Sequence, residues 1–224
     1  MLSGATDARL GTTLRLAAAF VGAAALVLLG VMLGRHAVLA VEAQPAVAAE
    51  LTRTVAPRFP GRFFVIAAAL AGEAAAGFTS LRVYNELGMS SSLAPARDAA
   101  KWAALDAAAG RPVTPFVHTP VLSLRALLDA LPPDVDVPVL QTDAQGYDFV
   151  IVRGAGGSLR RARRVRAEVF RGNPEGVLYH LPAGVSNDFD HDWVPYMAAA
   201  GYRLVEAPRD KAWGDATWER VGAV

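Results

Sequence analysis

The stretch VLQTDAQGYDFVIVRG, residues 139–154, decides the predicted fold. Apolar Val139 and Leu140 lead through two polar residues to the carboxylate of Asp143, and Gly146 follows. A short apolar strand that delivers a carboxylate into a glycine-containing turn is typical of sites in open α/β sheets, because ligands bind there beyond the carboxyl ends of the strands. Asp and Gly also favour solvated turns that carry no site. Both interpretations of Asp143 stay open at this point.

The apolar run Phe149–Val152 follows that turn closely. Its β-branched and aromatic residues favour a strand by propensity. A parallel neighbour of the preceding strand, however, cannot be reached across so short a connection. We therefore predict a helix that is buried against the sheet, with Gly154 as its C-terminal cap.

Strand and helix patterns alternate along the rest of the chain. Predicted helices begin at Pro45, Ser123 and His191, and the Ser123 side chain is placed to cap a helix over Leu124–Leu131. The predicted strands are Ala37–Val41, Phe63–Ala67, Leu81–Asn85, Val139–Thr142, Val165–Phe170, Tyr202–Glu206 and Thr217–Val221. Strands that alternate with helices predict an α/β fold with a mostly parallel sheet and helices on both of its faces.

Composition excludes several classes of site. The 224 residues include 22 basic and 21 acidic side chains, a formal charge of +1, which gives no overall electrostatic bias toward nucleic acid or anionic lipid. The absence of cysteine excludes disulfides, thiolate metal sites and cysteine nucleophiles. The length fits an N-terminal segment, residues 1–35, followed by one domain over residues 36–224.

The N-terminal segment has a long apolar run. Leu16–Gly34 contains 19 residues without a charge and lies between Arg15 and Arg35. This length suits a membrane-spanning helix, which needs about 20 apolar residues. A buried strand and helix of an α/β core also give continuous apolar sequence, and Val38–Ala40 resembles a signal-peptide cleavage site. Membrane anchoring through residues 16–34 and a buried core element are both retained, and with them a membrane-anchored or a cytoplasmic location.

Residues 121–170 carry motifs that resemble the C-terminal half of the FkbM-type S-adenosylmethionine-dependent methyltransferases. The segment Gln141–Asp143 is similar to the family's strand that ends in lysine-x-aspartate, with glutamine in place of lysine. Gln145–Asp148 resembles its glutamate- or glutamine-glycine step and second acidic residue. Val152–Ala155 is similar to the leucine-arginine-glycine-alanine stretch, and Glu168–Val169 to the strand ending in glutamate-valine. The shared order and spacing make the match more specific than any one motif.

The resemblance extends upstream and implies a function. Val38–Pro45 is similar to the family's second strand, which ends in glutamate-proline, and Ser90–Leu93 to a serine-serine-leucine stretch. The resemblance implies a Rossmann-like methyltransferase sheet, S-adenosylmethionine as cofactor, and O-methyl transfer to a hydroxyl of a small-molecule or carbohydrate acceptor. The implied cofactor-binding residues are Gly22, Ala23, Glu42, Ala69, Leu70 and Gln145, and the implied catalytic residues are Asp143 and Glu168.

Each acidic residue has a stated role and an alternative. In the implied enzyme, Glu42 accepts hydrogen bonds from the cofactor ribose hydroxyls. Asp143 orients or deprotonates the acceptor hydroxyl, and Glu168 assists it. In the alternative, Glu42 is a helix-start carboxylate stabilised by the macrodipole, and Glu168 forms an ion pair with a neighbouring arginine.

The chain departs from the family in the cofactor loop. The family pattern aspartate-valine-glycine-alanine-asparagine-x-glycine falls on residues 20–26, where Phe20, Ala24 and Leu26 replace the aspartate, the asparagine and the second glycine. A leucine side chain obstructs a turn in which backbone must approach a ligand closely. We therefore expect weak or no binding of S-adenosylmethionine. A catalytically inactive, methyltransferase-like and membrane-tethered binding protein remains the alternative function.

Two charged clusters have both a functional and a structural interpretation. Asp188, Asp190, His191 and Asp192 could ligate a hard cation, but an acidic helix start before Trp193 is the better-supported interpretation. Seven arginines between residues 153 and 171 could contact phosphate. No aromatic residues are interleaved with them for base stacking, so we predict a solvated connection, no nucleic-acid partner and no metal site.

Overall fold

The computed structural model describes residues 25–27, 37–72, 77–82, 107, 116–171, 187–208 and 213–222. The strands in these ranges are β1 (Ala25–Val27), β2 (Val38–Glu42), β3 (Phe63–Ala67), β4 (Ala69–Ala71), β5 (Gly77–Arg82), β6 (Phe116–Ser123), β7 (Val137–Asp143), β8 (Ala162–Phe170), β9 (Tyr202–Glu206) and β10 (Trp213–Arg220). The α-helices are α1 (Pro45–Thr54), α2 (Leu124–Ala130), α3 (Asp148–Gly154) and α4 (Val194–Ala199). Two 3-10 turns (Ala56–Arg58, Gly156–Arg161) and a π-helical turn (Phe189–Trp193) complete the described elements.

The strands form two mixed sheets. A seven-stranded sheet has the order β3-β2-β1-β7-β8-β10-β9, and a three-stranded sheet has the order β4-β6-β5. Antiparallel pairings outnumber parallel ones five to three among the described strands. The prediction of a mostly parallel, Rossmann-like methyltransferase sheet with helices on both faces is therefore wrong.

Connection length explains part of this difference. Residues 207–212 connect β9 to β10, whereas a parallel crossover needs about a dozen residues or more. β10 therefore runs antiparallel to β9, and it continues antiparallel along β8 from Trp213 opposite Phe170 to Glu219 opposite Arg164. The predicted late strand began at Thr217, so the sequence pattern detected only the second half of β10.

The N-terminal apolar run contributes a strand to the large sheet. In β1, Leu26 pairs with Val41 of β2 on one side and with Thr142 of β7 on the other. Of the two alternatives for this run, a membrane helix in place of the first strand is therefore wrong, and a strand of the sheet is confirmed for residues 25–27. Within the described ranges, no helix is both long enough and apolar enough to cross a bilayer. Residues 16–24 and 28–34 lie outside the described residues.

The helix predictions around the opening stretch are confirmed. Phe149–Val152 lies in α3 and is buried, as the short preceding turn required. Gly154 is the last residue of α3 and Ala155 takes the cap position, so the predicted cap is displaced by one residue. The Ser123 hydroxyl accepts a hydrogen bond from the Ala126 N–H at 3.1 Å, which confirms Ser123 as the N-cap of α2.

Along β8, the core lies on one face of the large sheet. Along β8, Val165 and Ala167 are completely buried, and the charged Arg166 and Glu168 alternate with them on the opposite face. Trp193 stacks on Trp218 of β10 with ring centroids 5.0 Å apart. Along β8, the face that carries Arg166 and Glu168 is therefore the polar one.

Arg161 holds the connection that follows α2. Its guanidinium group is half-buried and donates hydrogen bonds of 2.5–3.1 Å to four backbone carbonyl oxygens, those of Leu128, Leu131, Pro132 and Val135. These carbonyls lie at or just beyond the C-terminal end of the helix, where helical partners are missing. Arg161 is therefore a structural residue and does not belong to a solvated basic run.

Replacing Arg161 with lysine is expected to lower the free energy of unfolding by about 1.5–3 kcal/mol, because a lysine ammonium cannot span the carbonyls that the planar guanidinium reaches. Urea denaturation followed by tryptophan fluorescence measures this difference. The matched control is Arg163→Lys, since Arg163 forms an exposed ion pair with Asp136 at 3.0 Å. We expect a change below about 1 kcal/mol for the control, and equal losses in the two variants would contradict the capping role.

Candidate functional site

Three acidic side chains lie at one edge of the large sheet. Glu42 and Asp143 are the last residues of β2 and β7, and Glu168 lies two residues before the end of β8. These strands point the same way, because β1 is antiparallel to both β2 and β7 and because β7 is parallel to β8. The carboxyl ends of β2, β7 and β8 therefore meet at the same edge.

The strand registers arrange these residues in a row. Ala25 of β1 pairs with Asp143, and Glu168 pairs with Asp215 of β10. In the neighbouring row of paired residues, Leu26 of β1 lies between Val41 of β2 and Thr142 of β7, and Thr142 pairs with Ala167 of β8. One residue further along, Glu42, Asp143, Glu168 and Asp215 follow one another across the sheet, with their side chains on the same face.

Glu42 is completely buried and only half satisfied. Its Oε1 accepts a hydrogen bond from the Gln44 N–H at 2.8 Å, just before α1 begins. Its Oε2 has no hydrogen-bond partner among the residues that the structure describes. Burial raises the pKa of Glu42 to about 8, and the N–H groups of Gln44 and Ala43 only partly offset this. The side chain is therefore a helix-start carboxyl with one oxygen that no described residue of the chain contacts by a hydrogen bond.

Asp143 is oriented by the turn that follows it. The Gln145 side-chain amide donates to Asp143 Oδ1 at 2.7 Å. Gln145 and Gly146 both have positive φ, +51° and +91°, which sets the tight turn after β7. Burial raises the pKa of Asp143, the Gln145 hydrogen bond opposes this, and the charge of Asp215 adds to it. Gln145, predicted to bind cofactor, therefore contacts the predicted catalytic carboxylate directly.

Glu168 lies in a negative environment. Burial, followed by the charges of Asp148, Asp143 and Asp215 in that order, raises its pKa to about 8. The alternative of an arginine ion pair is not observed in the described part of the chain, because Arg166 pairs with Asp215 at 2.6 Å instead. Glu168 is thus a carboxyl that is held protonated near neutral pH.

Sequence reasoning gave no role to two polar residues beside this row. Asp148, the first residue of α3, is completely buried, and its Oδ1 accepts the Ala144 N–H at 3.0 Å. Asn187 accepts the Phe149 N–H at 3.2 Å and the Trp193 indole N–H at 2.8 Å. The resemblance pointed to Asp148 as a second acidic residue, whereas no sequence signal distinguished Asn187.

Of the remaining predicted cofactor residues, two lie in a described strand and two lie outside the described residues. Ala69 and Leu70 are buried in β4, which begins beside Glu42 because the Ala68 N–H donates to the Glu42 carbonyl oxygen at 3.0 Å. Gly22 and Ala23 lie outside the described residues. Leu26 lies inside β1 and is paired on both sides, so the predicted cofactor loop over residues 20–26 cannot extend to its last position.

The other charged clusters have structural roles. Asp188 is the N-cap of the π-helical turn, where its Oδ1 accepts the His191 N–H at 2.8 Å, so the acidic helix start is confirmed. Across the described ranges, no group of three or more His, Asp or Glu side chains is arranged to hold a metal ion. Arg164 pairs with Glu219 at 3.0 Å on the polar face of the sheet. Exposed pairs of this kind contribute little to stability.

No protein-family model, curated protein or solved structure matches this chain.

Proposed function

We propose that the chain binds S-adenosylmethionine at the carboxyl-end edge of its large sheet and transfers the methyl group to a hydroxyl of a small-molecule or carbohydrate acceptor. The observation that carries this proposal is the row of Glu42, Asp143 and Glu168 at one sheet edge. These are the acidic residues to which the FkbM resemblance gives cofactor and catalytic roles. Crevices beyond strand carboxyl ends are the usual ligand sites of open α/β sheets.

Glu42 offers a specific fit to a ribose. A buried carboxylate oxygen without a partner costs free energy, and a hydroxyl donor removes that cost. Glu42 Oε2 is such an atom among the described residues, and Oε1 is already held by Gln44. The vicinal hydroxyls of a ribose are donors of the right kind. Their binding favours the ionised form of Glu42, so the chain should release a proton when it binds the cofactor below pH 8.

Asp143 supports the proton transfer. When bound, S-adenosylmethionine supplies an electrophilic methyl group on a sulfonium sulfur. An acceptor hydroxyl that took this methyl group would have to give its proton to a base of the protein. Asp143, oriented by Gln145, is the carboxylate that receives it. Glu168, with a pKa of about 8, is protonated at neutral pH and serves as a hydrogen-bond donor beside Asp143.

A catalytically inactive binding protein is the second candidate, and β1 favours it. Leu26 stands where the family has a loop glycine, yet it pairs with Val41 and Thr142 in the middle of the sheet. A strand there leaves less room for a backbone loop that approaches the cofactor. Restoring the motif with Leu26→Gly would also weaken a central strand, because glycine destabilises strand interiors.

Calorimetric titration with S-adenosylmethionine tests the proposed function. We expect weak but saturable binding, because two family contacts of the loop are missing and each contributes about 1.5–3 kcal/mol when the ligand group is charged. Glu42→Gln should weaken the affinity about tenfold or more, since an amide has a single acceptor oxygen and Gln44 already occupies one acceptor position of the natural carboxylate. The matched control Glu50→Gln changes a residue of α1 that pairs with Arg53 at the surface and should bind like the natural chain. If the natural chain gives no saturable heat of binding, the methyltransferase proposal is refuted and the catalytically inactive binding protein is the remaining candidate.

A further inference from the structure

Side chains from both ends hold the turn between β7 and α3. The Ala144 N–H donates to Asp148 Oδ1 at 3.0 Å, which ties the residue after Asp143 to the first residue of α3. The Tyr147 N–H donates to the Ala144 carbonyl oxygen at 3.2 Å. Gln145 reaches back to Asp143 Oδ1 at 2.7 Å. The position of the Asp143 carboxylate therefore depends on the Asp148 side chain through the backbone of Ala144.

The hydrogen bond to Ala144 does not by itself require an acidic residue at position 148. An asparagine would also accept the Ala144 N–H, yet Asp148 is completely buried and its Oδ2 has no partner among the described side chains and backbone groups. The carboxyls that face it are Asp143 on β7 and, next in the row, Glu168 on β8. Asp215 on β10 lies beyond Glu168 and pairs with Arg166 at 2.6 Å, and its charge still raises the pKa of both Asp143 and Glu168.

Burial and mutual repulsion act on this group together. Burial and, to a smaller extent, the charge of Asp143 raise the pKa of Asp148 to about 7, against the opposing effects of the Thr142 hydroxyl and the Ala144 N–H. Carboxyls that repel one another in a buried place cannot all ionise, so they share protons and titrate as a set. Near neutral pH, ionisation of Asp148 therefore favours the protonated forms of Asp143 and Glu168.

We propose that Asp148 is a positioning residue that acts through Asp143. Its Oδ1 holds the turn behind Asp143, and its carboxyl shares protons with those of Asp143 and Glu168. For catalysis this inference rests on the proposed function, because only then does the proton of an acceptor hydroxyl move to Asp143. Transfer of that proton to Asp143 lowers the negative charge of the set by one, which relieves the repulsion among its carboxyls. The cluster is thus arranged to accept a single proton.

Carboxyl-carbon NMR on the full, unliganded chain tests the proposal without any cofactor. In the natural protein, the Asp148 and Glu168 signals should each show two inflections at shared pH values. Asp148→Asn keeps an acceptor for Ala144 but removes the charge, so the midpoints of Asp143 and Glu168 should move about one pH unit lower. Asp148→Ala should shift these midpoints in the same way and also speed hydrogen exchange at the Ala144 amide at least tenfold. Asp134→Asn, in an exposed turn, is the control and should change neither quantity.

Each readout can overturn the proposal. A single Asp148 inflection near pH 4 in the natural protein would exclude proton sharing, whatever the variants do. Unchanged Asp143 and Glu168 midpoints in Asp148→Asn would do the same. Unaltered exchange at Ala144 in Asp148→Ala would refute the positioning role. Absence of S-adenosylmethionine binding by the natural chain in calorimetry would refute the proposed function and not this inference, because none of these NMR signals depends on a ligand.

Discussion

Replacing Asp143 with asparagine is expected to lower kcat by about two to four orders of magnitude, the usual contribution of a positioned general base. Asparagine still accepts the hydrogen bond that Gln145 donates to Oδ1, so the turn after β7 should keep its shape. Asparagine cannot take a proton from an acceptor hydroxyl. The affinity for S-adenosylmethionine should stay within about threefold, because in the proposed site Asp143 acts on the acceptor and not on the cofactor.

Release of S-adenosylhomocysteine with a panel of simple methyl glycosides as acceptors measures this effect. The matched control is Asp136→Asn, because Asp136 pairs with Arg163 at the surface, 3.0 Å away. It should leave kcat unchanged within about twofold. If the natural chain is active and the Asp143→Asn variant has the same kcat, Asp143 is not the general base. Glu168→Gln would then be the next variant to measure, since Glu168 lies beside Asp143 in the row.

Lowering the pH from 8 to 5 is expected to stabilise the unliganded protein. Glu42 has a pKa of about 8 in the folded chain and 4.5 as its ordinary value, and Glu168 has the same pair of values. Between these pH values the folded state keeps protons that the unfolded state has released. The contribution is therefore fully present below pH 4.5 and is lost as pH rises toward 8, at a rate of about 1.4 kcal/mol per pH unit for each independent group. Asp148 acts in the same direction up to about pH 7.

Urea denaturation at pH 5, 6, 7 and 8 measures this dependence. The expected trend is the reverse of ordinary acid denaturation, in which paired carboxylates lose stability as they become protonated. Glu42→Gln removes one of the titrating groups and should flatten the profile, whereas Glu50→Gln, on the surface of α1, should leave it unchanged. A free energy of unfolding that is constant or rises between pH 5 and 8 would mean that Glu42 and Glu168 are not buried as described.

The local sequence located most of the described elements but only some of their ends. Ser123 predicted the start of α2, because its hydroxyl can satisfy a free N–H of the first turn. The short connection after Asp143 predicted that Phe149–Val152 is helical in spite of its strand propensity. The acidic residues from Asp188 to Asp192 predicted a helix start before Trp193, and the π-helical turn begins there. These features depend on residues within four or five positions of one another, so the sequence contains them directly.

Only the tertiary structure decided the directions of strands and the partners of buried charges. The pairing of Leu26 with both Val41 and Thr142 joins segments far apart in the chain, and no local pattern specifies whether such strands run parallel. Arg161 belongs to a basic run in the sequence, yet its carbonyl partners lie 26–33 positions away. Asp148 became part of the candidate site because folding removed its carboxyl from water and brought the charge of Asp143 close to it. Burial and long-range proximity set these properties, and neither is encoded in the spacing of neighbouring residues.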